Sequence, residues 1–148
     1  MSQIRALFSN IQQYIANEIQ QASTHIRIAM AWLTDQNLYD LLCNKAITGI
    51  KVELLLIKDD INKNAFNIDL EQLRQINNAE IVFMVPEDFR KMHNKYCIID
   101  SHTVITGSYN WTYQAQQNDE NIVIVSGDPE FATDYIQNFN NLKQLLCV

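Results

Sequence analysis

The stretch MHNKYCIIDSHTVITGSYNWT, residues 92–112, decides how the chain folds. Residues 96–99 and 103–106 are two β-rich runs on either side of Asp100, Ser101 and His102, which predicts a hairpin. On a strand, His93 and Lys95 are two residues apart and point to the same face, and Cys97 and Ile99 continue that face towards the interior. Gly107, Ser108 and Asn110 follow the second arm. A turn of this kind can bring Ser108 and Asn110 back beside the start of the first arm. Whatever sheet the rest of the chain builds, the hairpin gives it an antiparallel portion.

Outward from the hairpin, helical and extended patterns alternate. Residues 122–125 form an apolar strand, and Asp128-Pro129 opens a closing helix to about residue 146, with Pro129 at a tolerated first-turn position. Upstream, residues 26–32, 52–57 and 81–85 read as buried strands, the last ended by Pro86. Between them, 36–48 reads as a helix stopped by Gly49, and 69–76 as a short helix that Asp69 can cap. Ile4, Leu7, Phe8, Ile11, Tyr14, Ile15 and Ile19 recur at helical spacing and predict a helix over residues 3–21. Strands apolar on both faces imply helices on both sides. The expected fold is a single α/β domain over residues 1–148, with a mixed β-sheet flanked by helices on both faces. With three glycines and two prolines in 148 residues, long loops should be few.

Composition bounds the function. The chain is 47% hydrophobic and 19% charged, ordinary for a globular protein. A net charge of −6 argues against a broad basic surface for coating DNA, though not against a local basic cleft. No apolar run approaches the ~18 residues that span a bilayer, and the first residues lack a secretory pattern. Cys43, Cys97 and Cys147 show no CxxC spacing and read as reduced thiols, which points to the cytoplasm. His25 and His102 have no partners at metal-ligand spacing, so neither a metal nor another cofactor is expected.

The hairpin gathers an imidazole, an ammonium, a hydroxyl and an amide at one sheet edge, with backbone N–H groups at the start of a following helix. Together they suit a phosphate: a nucleophile, a fixed positive charge and several donors. Blander readings stand beside this one. Asp100 either serves the turn or takes part in the chemistry. Ser108 is either a donor or a helix cap, and Glu120 either a site residue or a solvated strand-edge group. Arg90 either adds to a basic cleft or belongs to a solvated patch offset by Glu87 and Asp88. Tyr109 and Trp111 flank Asn110 and either stack on substrate or pack the core.

The segment resembles the phospholipase D superfamily, whose signature is HxK, four residues, D, six residues, then GSxN. His93, Lys95, Asp100, Gly107, Ser108 and Asn110 meet it in full. The resemblance implies that His93 attacks phosphorus to form a covalent phosphohistidine. Lys95 and Asn110 would hold the non-bridging oxygens, and Ser108 would add a hydrogen bond. Glu120, a softer match, would hold the far nitrogen of the His93 ring. A second histidine must protonate the leaving oxygen, and this chain holds one copy of the motif. Short family members pair two identical chains, so the resemblance implies a homodimer whose motifs face one cleft.

Short single-motif members are typically nucleases, so a metal-independent endonuclease cutting DNA or RNA is the leading expectation. Substrate-binding candidates are Lys95, Ser108, Asn110, Tyr109, Trp111 and Arg90. One alternative is a lipid phosphodiesterase or phosphatidyl transferase. The polar face of the first helical stretch is Gln, Asn and Ser rather than Lys or Arg, which argues against a membrane anchor. A lesser alternative is a non-catalytic scaffold. The acidic composition also leaves room for a recruiting protein that the sequence does not identify.

Overall fold

A computed structural model of the protein describes residues 1–65 and 68–146. In chain order the elements are β1 (Gln3–Leu7), α1 (Ile11–Gln21), β2 (His25–Met30), α2 (Gln36–Ile47), β3 (Lys51–Ile57), α3 (Asp60–Lys63), α4 (Leu70–Arg74), β4 (Ala79–Met84), β5 (Lys95–Ile99), β6 (Thr103–Gly107), β7 (Ile122–Ser126) and α5 (Pro129–Leu146). A 3₁₀ turn, Gln114–Gln117, precedes β7. The strands form one sheet in the order β1-β7-β6-β5-β2-β3-β4. Pairings β2–β3 and β3–β4 are parallel; β1–β7, β7–β6, β6–β5 and β5–β2 are antiparallel. The sheet is mixed, as the hairpin requires.

Alternation along each strand sends side chains to two cores. On one face Ile26, Ile28, Leu54, Leu56, Cys97 and Ile99 pack with Ile15 and Ile19 of α1 and Leu38 and Leu42 of α2. On the other, Ala29, Leu55, Ile57, Ile98 and Val104 pack with Ala132 and Phe139 of α5. Phe139 is fully buried, and replacing such a ring with Ala costs about 3–5 kcal/mol.

Residues 3–7 depart from the expected helix: they form an edge strand antiparallel to β7, with Ile4 opposite Val125. Ile4 and Phe8, counted towards the helical stripe, are 72% and 73% exposed. Pairing with the free edge of β7 outweighs a periodicity that buries little. α1 starts after Asn10, whose left-handed backbone (φ 52°) makes the corner. The short α3 was not legible in the sequence. Asp69 caps α4 as expected, accepting from Glu71 N at 3.0 Å. Cys43 and Cys97 are buried free thiols; Cys147 lies outside the described residues.

Candidate active site

The topology brings the end of β2, the start of β5, the end of β6 and the start of β7 to one end of the sheet. Register sets Met30 opposite Lys95, Tyr96 opposite Thr106 and Gly107 opposite Ile122. Gly107 is required by close approach: a Cβ there would lie 2.1 Å from the Asn121 carbonyl oxygen. That contact lets Ser108 N donate to Asn121 O at 3.0 Å, and Ser108 Oγ accept from Asn121 N at 3.1 Å. The next strand's entry is thereby clamped against the motif.

His93 is exposed in the segment before β5. Lys95 Nζ lies 3.0 Å from His93 Nδ1 and donates to His93 O at 2.9 Å. Partial burial, then the charges of Lys95 and Lys91, hold the imidazole below its ordinary pKa of 6.5. It is therefore mostly neutral at pH 7, as a nucleophile must be. Burial lowers the Lys95 ammonium below 10.5, against an opposing pull from Glu120. Ser108 Oγ donates to Glu120 Oε2, and Asn118 Nδ2 donates to Glu120 Oε1 at 3.3 Å. Asn110 and Glu120 help line an open cavity of about 360 Å³ that Trp32 also walls. Trp32 sets its ring edge-on to His93, with centroids 5.4 Å apart. The arrangement offers a neutral imidazole, a fixed cation and an amide, which can attack a phosphodiester and hold its oxygens.

The family model "Cardiolipin synthase, PLD-like domain" matches residues 15–143. The chain belongs to the phospholipase D superfamily. A Rickettsia felis protein named phospholipase D is 33% identical over 132 residues, which are 88% of this chain and 63% of that protein. The chain thus spans under two thirds of that relative's length. Among solved structures, the phospholipase D family member Nuc from Salmonella typhimurium superposes with a TM-score of 0.81 at 21% identity, covering 97% of this chain and 95% of that one. NucT from Helicobacter pylori gives 0.79 at 19% identity, with 97% of each chain covered.

Within this phospholipase D-like domain, not every expected residue joins the group. Asp100 sits at the far end of β5 from Lys95, roughly 17 Å away at strand rise. Its carboxylate accepts from Ser23 N and Oγ, Thr24 N and Oγ1, and His25 N at 2.8–3.1 Å. Although burial opposes it, these hydrogen bonds bring its pKa down from 3.8 to about 2. What the geometry shows for Asp100 is a structural clamp on the hairpin. Tyr109 and Trp111, candidates either for stacking on substrate or for packing the core, are 3% and 1% exposed. The Trp111 carbonyl accepts from Thr34 N at 2.8 Å and Asp35 N at 2.9 Å. Both rings belong to the core, on either side of the half-buried Asn110, which lines the cavity.

Arg90 closes a turn with Glu87 and lines a separate groove beside Leu142 and Leu145 of α5. Glu120 bonds Ser108 rather than the His93 ring, whose Nδ1 faces Lys95. Ser108 caps no helix, since the expected helix after Asn110 is replaced by the 3₁₀ turn at 114–117. Among the described residues no three His, Cys, Asp or Glu side chains gather as a metal site.

Trp32, Asp59 and Asn62 were missed as site residues. Trp32 Nε1 donates to Asp59 Oδ2 at 2.7 Å. The buried Asn62 accepts from Leu33 N at 2.9 Å and donates to Ala31 O and Ile57 O at 2.8 Å, tying the ends of β2 and β3 together. No spacing rule links residues 32, 59 and 62; parallel strands bring them together.

Proposed function

We propose that this chain is a phosphodiesterase acting on nucleic acid through a covalent phosphohistidine at His93, in a site shared by two copies. The observation that carries it is the His93 imidazole 3.0 Å from the Lys95 amino group at one end of the sheet, once per chain. The neutral His93 of one copy attacks phosphorus as the bond to the leaving oxygen breaks, and that oxygen takes a proton from the His93 of a second copy, which enters the step as the imidazolium and leaves it as the neutral imidazole. Water then loses a proton to that second imidazole and attacks the phosphohistidine. The phosphate monoester leaves and His93 is restored. Lys95 neutralises the developing charge. The pairing also makes an acidic molecule locally basic where the two motifs meet.

Support for nucleic acid over lipid comes from the amide-rich rim of Asn110, Gln114 and Asn118 and from a first helix with no Lys or Arg on its polar face. A lipid phosphodiester is the second reading, favoured by a relative named phospholipase D and by a family model described as a cardiolipin synthase domain. Hydrolysis of single-stranded DNA, duplex DNA, RNA and phosphatidylcholine vesicles, measured side by side in EDTA, separates them. The expected result is cleavage of a nucleic acid without divalent ions. Activity lost in EDTA and restored by Mg²⁺, or confined to the vesicles, would overturn the reading.

A further inference from the structure

The 360 Å³ cavity beside the motif has a lining that phosphate chemistry leaves unexplained. Asn110 and Glu120 form the wall next to the reacting end. Trp32, Ile61 and Tyr113 supply an apolar part of the lining. Ile61 is 52% exposed and Tyr113 48% exposed, although both stand at the mouth of a concave site where apolar surface could be covered. Trp32 is pinned through its indole N–H to Asp59 and by its edge-on contact with His93. Tyr113 precedes the 3₁₀ turn, which its carbonyl helps close by accepting from Gln116 N at 3.1 Å. Part-open aromatic faces flanking a phosphate site suit a flat ring.

The rim adds polarity of a definite kind. Gln114 Nε2 donates to Asn118 Oδ1 at 3.1 Å, and Asn118 in turn donates to Glu120, so these amides are held in place. An occupant made only of hydrocarbon would desolvate the exposed Gln114 and Asn118 amides without pairing them, which is costly. A nitrogen heterocycle supplies donors at its edge and a π-face for Tyr113.

We infer that this cavity binds the nucleobase next to the scissile phosphodiester, with Tyr113 as the stacking platform and Trp32 and Ile61 as further apolar lining. The inference rests on the nucleic-acid reading and adds a specificity element to it. The cavity's size lies in the range of small-ligand sites, about 300–1,000 Å³, which suits one nucleoside.

The test uses short oligonucleotides with a single ordinary phosphodiester among methylphosphonate linkages. Each is made with an intact base or an abasic residue on either side of the cleavable bond. Wild-type protein should prefer the intact base on one side by about 10-fold in kcat/KM, the scale of one base–aromatic stack. Tyr113→Ala should shrink that preference to within about two-fold, and Tyr113→Trp should keep it. Equal cleavage of intact and abasic substrates by wild type would overturn the base slot while leaving the nuclease reading in place, and this arm needs no variant to fold. A preference that survives Tyr113→Ala would overturn the role of Tyr113. Cleavage of none of the oligonucleotides, with turnover of phosphatidylcholine, would overturn both readings together.

Discussion

His93 and Lys95 depend on each other through 3.0 Å between ammonium and ring. His93→Ala should lower turnover by about 10⁴-fold and abolish a phosphorylated adduct that mass spectrometry detects on this residue after an alkaline quench. Lys95→Ala should cost on the order of 10²–10³-fold through lost charge stabilisation. Because the His93 pKa is held below 6.5, the acidic limb of kcat/KM against pH should have its midpoint below that value. Asp100 works differently. Its folded pKa of about 2 lies below the ordinary 3.8, so its stabilisation is complete above about pH 4 and is lost as pH falls towards 2. Asp100→Asn should melt about 2–4 °C lower at pH 7, a difference that narrows in that acid window in a calorimetric series, since solvent screens part of the effect. His93, Lys95, Ser108 and Asn110 were legible in the sequence because motif spacing on a hairpin fixes them. The inward turn of Tyr109 and Trp111, the Glu120 partner and the Trp32–Asp59 contact were not, because each depends on packing between distant segments.

Among the elements, the hairpin and β7 were read within a residue or two, because alternation and turn residues are local signals. The helix expected over 3–21 was half right: α1 is present, but β1 answers to the empty edge of β7, which no local pattern reveals. Gly107 shows how tightly two elements can be matched. A methyl group at that position meets the β7 entry at 2.1 Å, so Gly107→Ala should push Asn121 away and break both its hydrogen bonds with Ser108. The expected outcome is a loss of about 2–3 kcal/mol in a urea titration, together with a drop in activity that exceeds the unfolded fraction. Full activity with an unchanged midpoint would show that β6 and β7 can separate without harm.

At the scale of the whole molecule, the proposed mechanism, with one motif per chain and two histidines per turnover, predicts a site shared by two copies. A mixed dimer of wild type and His93→Ala lacks either the nucleophile or the acid. Co-refolded mixtures should therefore lose activity as the square of the wild-type fraction, with sedimentation confirming that the variant still pairs. A straight line with confirmed mixing would mean independent sites. The α/β class with helices on both faces was legible from strands apolar on either side; the strand order was not, because β5 inserts beside β2 across some 70 residues of chain. The Asp100 clamp bridges that same gap, binding groups 75 to 77 positions earlier. A contact of that span forms only after the long loop between its partners has closed. Formed late, it should act mainly on the barrier out of the folded state, so Asp100→Asn is expected to speed unfolding more than it slows refolding in stopped-flow kinetics. The aspartate of the motif would then be a latch, setting how long the protein stays folded.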